Sequence, residues 1–207
     1  MNGPPPRWML WAMLAFGAPV LSACGGEPSP ETYILGRDVP VGRLEQSQID
    51  SPIVELRSVR IPDYLDNRDI VVGRTGGHLI VSKYARWGER LSLGVTRAVS
   101  ASLAARLPRI AVITTPAPGM SRWRVLIDID AFGVQSAGQC VLAGRWSVLM
   151  GGDDKKLGDE KFSMSQPVSK GSDAEIVSVM TSLVDQLVAS MAPAFEVGVA
   201  PRRTASR

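Results

Sequence analysis

Two stretches in the second half of the chain alternate apolar and polar residues with a period of two. In "RWRVLIDIDAF", Trp123, Val125, Ile127 and Ile129 fall on one side, and Arg124, Asp128 and Asp130 on the other. In "QCVLAGRWSVL", Cys140, Leu142, Gly144, Trp146 and Val148 share a side, opposite Gln139, Arg145 and Ser147. Successive side chains of a strand point to opposite faces, so this pattern predicts an antiparallel hairpin with one face on a core. Residues 133–139, with two glycines, make its loop. Upstream, "TYILG" and "SPIVELRSVRIP" read as strands, and "DIVVGR" and "HLIVSK" as a tight hairpin turning at Gly76-Gly77. "RIAVIT" and a segment over 161–168 complete the expected strands.

The period lengthens to that of a helix in two places. Leu91, Val95, Ala98, Val99 and Leu103 predict a helix over 91–107, stopped by Pro108. Ile176, Val179, Met180, Leu183, Leu187 and Met191 form the stripe of a second helix. It opens with the capping box Ser172 to Glu175 and is expected to end at Pro193. Strands, helix, strands, helix predict an α+β fold, an antiparallel sheet with two main helices packed on one face.

The N-terminus follows a different logic. Arg7 precedes an apolar run, "WMLWAMLAFGAPVL", that falls short of the roughly 18 to 20 residues needed to span a bilayer. A charged start, a short apolar segment and small residues read as a secretory signal. "LSAC" then resembles the lipobox of bacterial lipoproteins, which makes Cys24 the expected lipidation site. Residues 1–23 are thus expected to be a signal peptide and 24–31 a lipidated tether. Residues 32–195 form a single α+β periplasmic domain in this reading, and 196–207 a disordered basic tail. Gly25 rather than aspartate after the cysteine favours the outer membrane, by resemblance to lipoprotein sorting in Gram-negative bacteria.

Charge and chemistry narrow the function classes. The chain has 23 Lys and Arg against 20 Asp and Glu, which gives no argument for nucleic acid. With Cys24 acylated, Cys140 stands alone, either as a buried apolar residue or as a reactive thiol. His78 is the sole histidine, just after a turn, and the motifs of nucleophilic elbows, zinc proteases and phosphate or dinucleotide loops are absent. No cofactor is implied. "GGDDKKLGDEKF" lacks the alternating oxygen ligands of a calcium loop and reads as a solvated turn, so no metal is expected. Asp63 and Asp66 in "IPDYLDNRDIVVGR" could form a carboxylate pair for glycoside chemistry. Aspartates after Pro62 also shape turns by bonding nearby backbone N–H groups.

The order of motifs is more specific than any of them alone. "IPDYLDNRDIVVGR", the Arg-Trp-x-Glu of "YARWGERL", "SLAARLP", "RVLIDIDAF" and "CVLAGRWSVL", with the lipobox and "YILG", resemble the PqiC/YmbA-type lipoproteins. These are ABC-type transport auxiliary lipoprotein components of MCE intermembrane transport systems. One departure is Trp87-Gly88-Glu89-Arg90-Leu91, where that family more often has Trp-Ala-Glu-Pro-Leu, so a proline's preset φ is missing from the helix entry. The resemblance implies an outer-membrane lipoprotein facing the periplasm and forming a homo-oligomeric ring. Its partner would be an MCE-domain protein of the inner membrane, whose end it receives, helping phospholipids cross. Tyr64, Arg86, Trp87 and Glu89 are then the candidate partner or subunit interface. Aromatic and arginine residues favour interface centres, although Trp87 suits a core anchor equally well. Two rival classes remain: an envelope- or peptidoglycan-binding adaptor, and a lipoprotein enzyme using the Asp63/Asp66 carboxylates.

Overall fold

The computed structural model describes residues 29–37, 51–116, 121–135 and 138–196. The elements run β1 (Glu31–Tyr33), β2 (Ile53–Leu56), β3 (Asp69–Thr75), β4 (His78–Trp87), α1 (Leu91–Arg106), β5 (Ala111–Ile113), β6 (Trp123–Val134), β7 (Gln139–Met150), β8 (Lys156–Pro167) and α2 (Asp173–Glu196). The fold is α+β, as the periodicity predicts. The expectation of one antiparallel sheet needs correction. The described residues form two mixed sheets, of order β1-β4-β3 and β5-β2-β6-β7-β8. β2 runs parallel to both β5 and β6, and β1 runs parallel to β4. Period-two alternation is the same in parallel and antiparallel strands, so direction is set by the long crossovers between them.

The β6–β7 hairpin is the centre of the larger sheet. Trp123, Val125, Ile127 and Ile129 are all buried, and Val125 and Ile127 pair with the buried Val148 and Trp146 of β7. A β-bulge then intervenes: Ile129 pairs with Gly144 and Ala131 with Ala143, leaving Asp130 as the extra residue. One extra residue reverses the parity of the strand, which is why Phe132 and Val134 lie in the core beyond it. At Gly144 a Cβ would come within 2.1 Å of the Asp128 carbonyl oxygen, so the bulge admits only glycine there. β8 begins five residues before the expected segment, at Lys156. It is an edge strand rich in charge, and such strands lack a clear apolar face because charge protects the open edge.

Both helices cover one face of this sheet. α2 buries Ile176, Met180, Leu183, Leu187 and Met191, and packs on β6, β7, β8 and α1. Half of the capping box forms, with Glu175 N–H donating to Ser172 Oγ at 3.3 Å, but the return bond goes to the preceding turn and not to Ser172 N–H. The Glu175 carboxylate accepts N–H groups from Ser169, Lys170 and Gly171 at 2.7–2.9 Å. Pro193 does not end the helix, contrary to expectation. It sits on the exposed side, and the last turn continues because Ala194 and Phe195 are buried. Phe195 meets Trp123 edge-on at 6.1 Å between ring centroids, a contact that offsets the lost backbone donor.

The opposite sheet face is polar and internally paired. Glu55 of β2 is only 2% exposed, yet lies on this side beside Arg124. Its Oε1 is 2.9 Å from Arg57 Nε, and its Oε2 accepts from Ser121 Oγ at 3.2 Å. Arg124 extends on to Asp154 at 2.6 Å. Further along, Lys156, Arg145 and Ser147 converge on Asp159 and hold its carboxyl down at about 2. Leu126 and Val141 between these groups are half-buried.

Candidate functional site

The segment 61–74 and the corner from β4 into α1 are far apart in sequence and meet in the structure. Leu65 and Asp66 N–H groups both donate to the Pro62 carbonyl, at 2.8 and 3.1 Å, closing a turn that drops Leu65 into the core. Asn67 stiffens its exit. Its Oδ1 accepts from Asp69 N–H at 2.7 Å, and its Nδ2 donates to the Tyr64 carbonyl at 3.2 Å. The turn then receives the corner. Trp87 N–H donates to the Arg68 carbonyl at 2.7 Å, and Leu91 N–H to the Asn67 carbonyl at 3.2 Å.

Asp66 makes the decisive link. α1 begins at Leu91 with Arg90 in the N-cap position, where no side chain caps the helix, and its first turn holds no acid. The first N–H groups of a helix need acceptors, and a negative charge there is favoured by the helix dipole. Asp66 supplies both: Oδ1 accepts from Ser92 N–H at 2.9 Å, and Oδ2 pairs with Arg90. Burial opposes its ionisation, but the Ser92 and Arg90 bonds outweigh that and hold its carboxyl below the ordinary value. This is the wrong direction for a general acid, which needs its pKa raised. Asp63 is exposed, with its carbonyl accepting from Asp66 N–H at 3.2 Å.

The four candidate interface residues separate. Tyr64 is 46% exposed, its ring 6.0 Å from the Arg74 guanidinium carbon. Arg86 is exposed on β4. Trp87 is 2% exposed and belongs to the core, so its interface reading is corrected. Alternation along the end of β4 turns Ala85 and Trp87 inward while Arg86 points out. Glu89 is bound within the subunit: its Oε1 accepts from Arg97 Nε and a terminal nitrogen, at 3.0 and 2.8 Å. Arg97 in turn donates to the Leu35 carbonyl. Cys24 lies outside the described residues. Cys140 is fully buried, and burial pushes its thiol up to about 12, the opposite of a reactive cysteine. Among the described residues no group of three or more His, Cys, Asp or Glu is placed to hold a metal ion.

Sequence reasoning missed the remote cap at Asp66 and the buried Glu55. The first had a signal, a helix entry at Arg90 with no Ser, Thr, Asp or Asn to cap it. For Glu55, flanked by Val54 and Leu56, none is visible in the local pattern.

Comparison with known proteins identifies what this arrangement belongs to. The family model for the ABC-type transport auxiliary lipoprotein component matches residues 33–192. The chain belongs to that family. The match runs from β1 into the last turns of α2, and so includes both the 61–74 turn and the β4–α1 corner. It bears out the resemblance to PqiC/YmbA-type lipoproteins. Two solved structures share the fold. A crystal structure of an uncharacterized protein has 19% identity and a TM-score of 0.65, covering 82% of this chain and 99% of that one. Protein XCC0632 from Xanthomonas campestris, of the DUF330 family, has 18% identity and a TM-score of 0.62, with the same coverage. Comparison with curated proteins gives no match. As a family, the transport auxiliary lipoproteins are membrane-anchored envelope proteins that serve ABC-type transport.

Proposed function

We propose that this lipoprotein is the outer-membrane component of an MCE-type intermembrane phospholipid transport system. In this role it docks the periplasmic end of an MCE-domain protein anchored in the inner membrane. The observation that carries the reading is the family match across the whole set of elements, since it makes the chain an accessory of ABC-type transport. The geometry agrees with a docking role rather than a carrier role. One cleft of about 450 Å³ is open and lined by Arg60, Asp128, Asp130, Arg145 and Lys161 among others. Another, of about 380 Å³, is lined by Glu31, Asp173 and two tyrosines. Acyl chains need a lining free of charge, and charged side chains line both clefts. Lipid would therefore pass beside this subunit or through an assembly of it. A closed homo-oligomeric ring belongs to the same reading, because closed symmetry is the usual outcome of self-association.

The turn at 61–67 offers Tyr64, and the adjoining corner Arg86, as exposed contact residues. Photoreactive amino acids placed at these two positions in the native envelope are expected to capture an MCE-domain protein. Adducts confined to peptidoglycan or its associated proteins would overturn the proposal in favour of an envelope adaptor.

A further inference from the structure

The β3–β4 ribbon carries an apolar surface that the fold does not use. Ile80 is 46% exposed, Val81 41% and Tyr84 67%, three of the six most exposed large apolar side chains among the described residues. Ile80 and Val81 are adjacent, so both faces of the ribbon are open at this level. Their display is built rather than incidental. Between the pairs Asp69–Arg86 and Val71–Val81 the register slips, leaving residues 82–85 as a bulge in β4. Ser82 Oγ clamps that bulge by accepting from Tyr84 and Ala85 N–H groups at 3.1 and 3.0 Å. It also donates to Asp173 at the start of α2, at 3.0 Å.

The charge of the ribbon is one-sided. Across β3 and β4 the basic residues are Arg74, Lys83 and Arg86, joined by His78, and Asp69 is the one acid. None of the ion pairs among the described residues uses Arg74, Lys83 or Arg86. On the rest of the body, by contrast, arginines are mostly matched to carboxylates. Exposed aliphatics and a tyrosine beside cations that no carboxylate neutralises are the composition of a surface that enters the headgroup region of an anionic bilayer.

The direction of β1 brings this surface to the membrane. β1 pairs parallel with the base of β4, Glu31 opposite Ala85. The N-terminal end of β1, at Glu31, therefore faces the ribbon tip. Cys24 lies seven residues before Glu31, a reach of about 23 Å at ~3.3 Å per residue. His78 lies the same number of residues before Ala85 along β4. An anchor at Cys24 can therefore reach the level of the ribbon tip.

We propose that the tip of the β3–β4 ribbon is a membrane-contact surface. Ile80 and Val81 enter the interface of the bilayer that holds the acyl chains, and Arg74 and Lys83 face anionic phosphates. The proposal rests on lipidation at Cys24 from the reading above. It is tested with full-length acylated protein reconstituted into vesicles of phosphatidylethanolamine and phosphatidylglycerol. Cys140 is buried, so a single cysteine introduced as Ile80→Cys, or at the equally exposed Leu93 of α1 as Leu93→Cys, can be given an environment-sensitive fluorophore. The probe at 80 is expected to shift to the blue and to be quenched by spin-labelled lipid, while the probe at 93 stays aqueous. Adding Lys83→Glu should reduce the shift at 80 in these vesicles. Protein that co-floats with the vesicles while position 80 remains aqueous, or shifts no more than 93, overturns the contact. Failure to co-float overturns the lipidation reading instead, and the proposal with it.

Discussion

Gly144→Ala is expected to lower the stability of the domain by about 3 kcal/mol, which places it among the most damaging single substitutions available. A Cβ at this position would lie 2.1 Å from the Asp128 carbonyl oxygen and 3.0 Å from the Ile129 Cα, both main-chain atoms of the paired strand. Neither can swing aside as a side chain could. Relief requires β6 and β7 to separate at the bulge, where Ile129 pairs with Gly144. That separation would undo the parity change that places Phe132 and Val134 in the core. In a chain of this size the loss corresponds to a fall in Tm of roughly 6 to 12 °C. Gly77→Ala is the matched control, because a Cβ there meets nothing within 4 Å. It should change stability by no more than about 0.5 kcal/mol. Thermal melts of both variants decide the matter, and coincident curves would contradict the account of the bulge.

Asp66→Ala is expected to cost about 2 kcal/mol, through loss of the one acceptor for Ser92 N–H and of the charge at the start of α1. Most of that is the cap, since Arg90 is 62% exposed and its ion pair with Asp66 contributes little. Asp66→Asn keeps an acceptor oxygen and should cost roughly half as much. The pH dependence distinguishes charge from shape. The folded carboxyl titrates below its unfolded value, so its contribution is present above about pH 4 and fades as pH falls through the folded value. Asp159 and Glu175, also shifted down, give the wild type and the variant the same acid sensitivity. The gap between wild type and Asp66→Asn therefore isolates Asp66. Urea melts at pH 7 and pH 3 should show that gap shrinking in acid, and a constant gap would assign the effect to packing alone.

Much of the fold was legible because its signals are local. The alternation from Trp123 to Ile129 and from Cys140 to Val148 marks β6 and β7, and the helical stripe from Ile176 to Met191 marks α2. Even the bulge left a trace, in the phase break between Ile129 and Phe132, although that trace means nothing until a partner strand is known. Pro193 misled because a proline on an exposed helix side loses one hydrogen bond, while Phe195 beyond it gains the Trp123 contact. The candidate site was only half legible. Its two motifs stand 24 residues apart at Asp66 and Arg90, and no local window reveals that one caps the helix begun by the other.

By itself the sequence determined where most strands and helices lie, the apolar side of β6, β7 and α2, and the family order of motifs from Tyr33 to α2. The expectation of lipidation at Cys24 rests on sequence as well, on the resemblance of "LSAC" to a lipobox. Tertiary structure alone decided that β2 runs parallel to both its neighbours, that Trp87 is core and Arg86 surface, and that Glu55 is buried among arginines. Periodicity belongs to a single strand or helix and is written in its own residues. Direction, neighbour and exposure belong to pairs of elements, and their energies come from contacts between residues that composition and spacing leave unconnected.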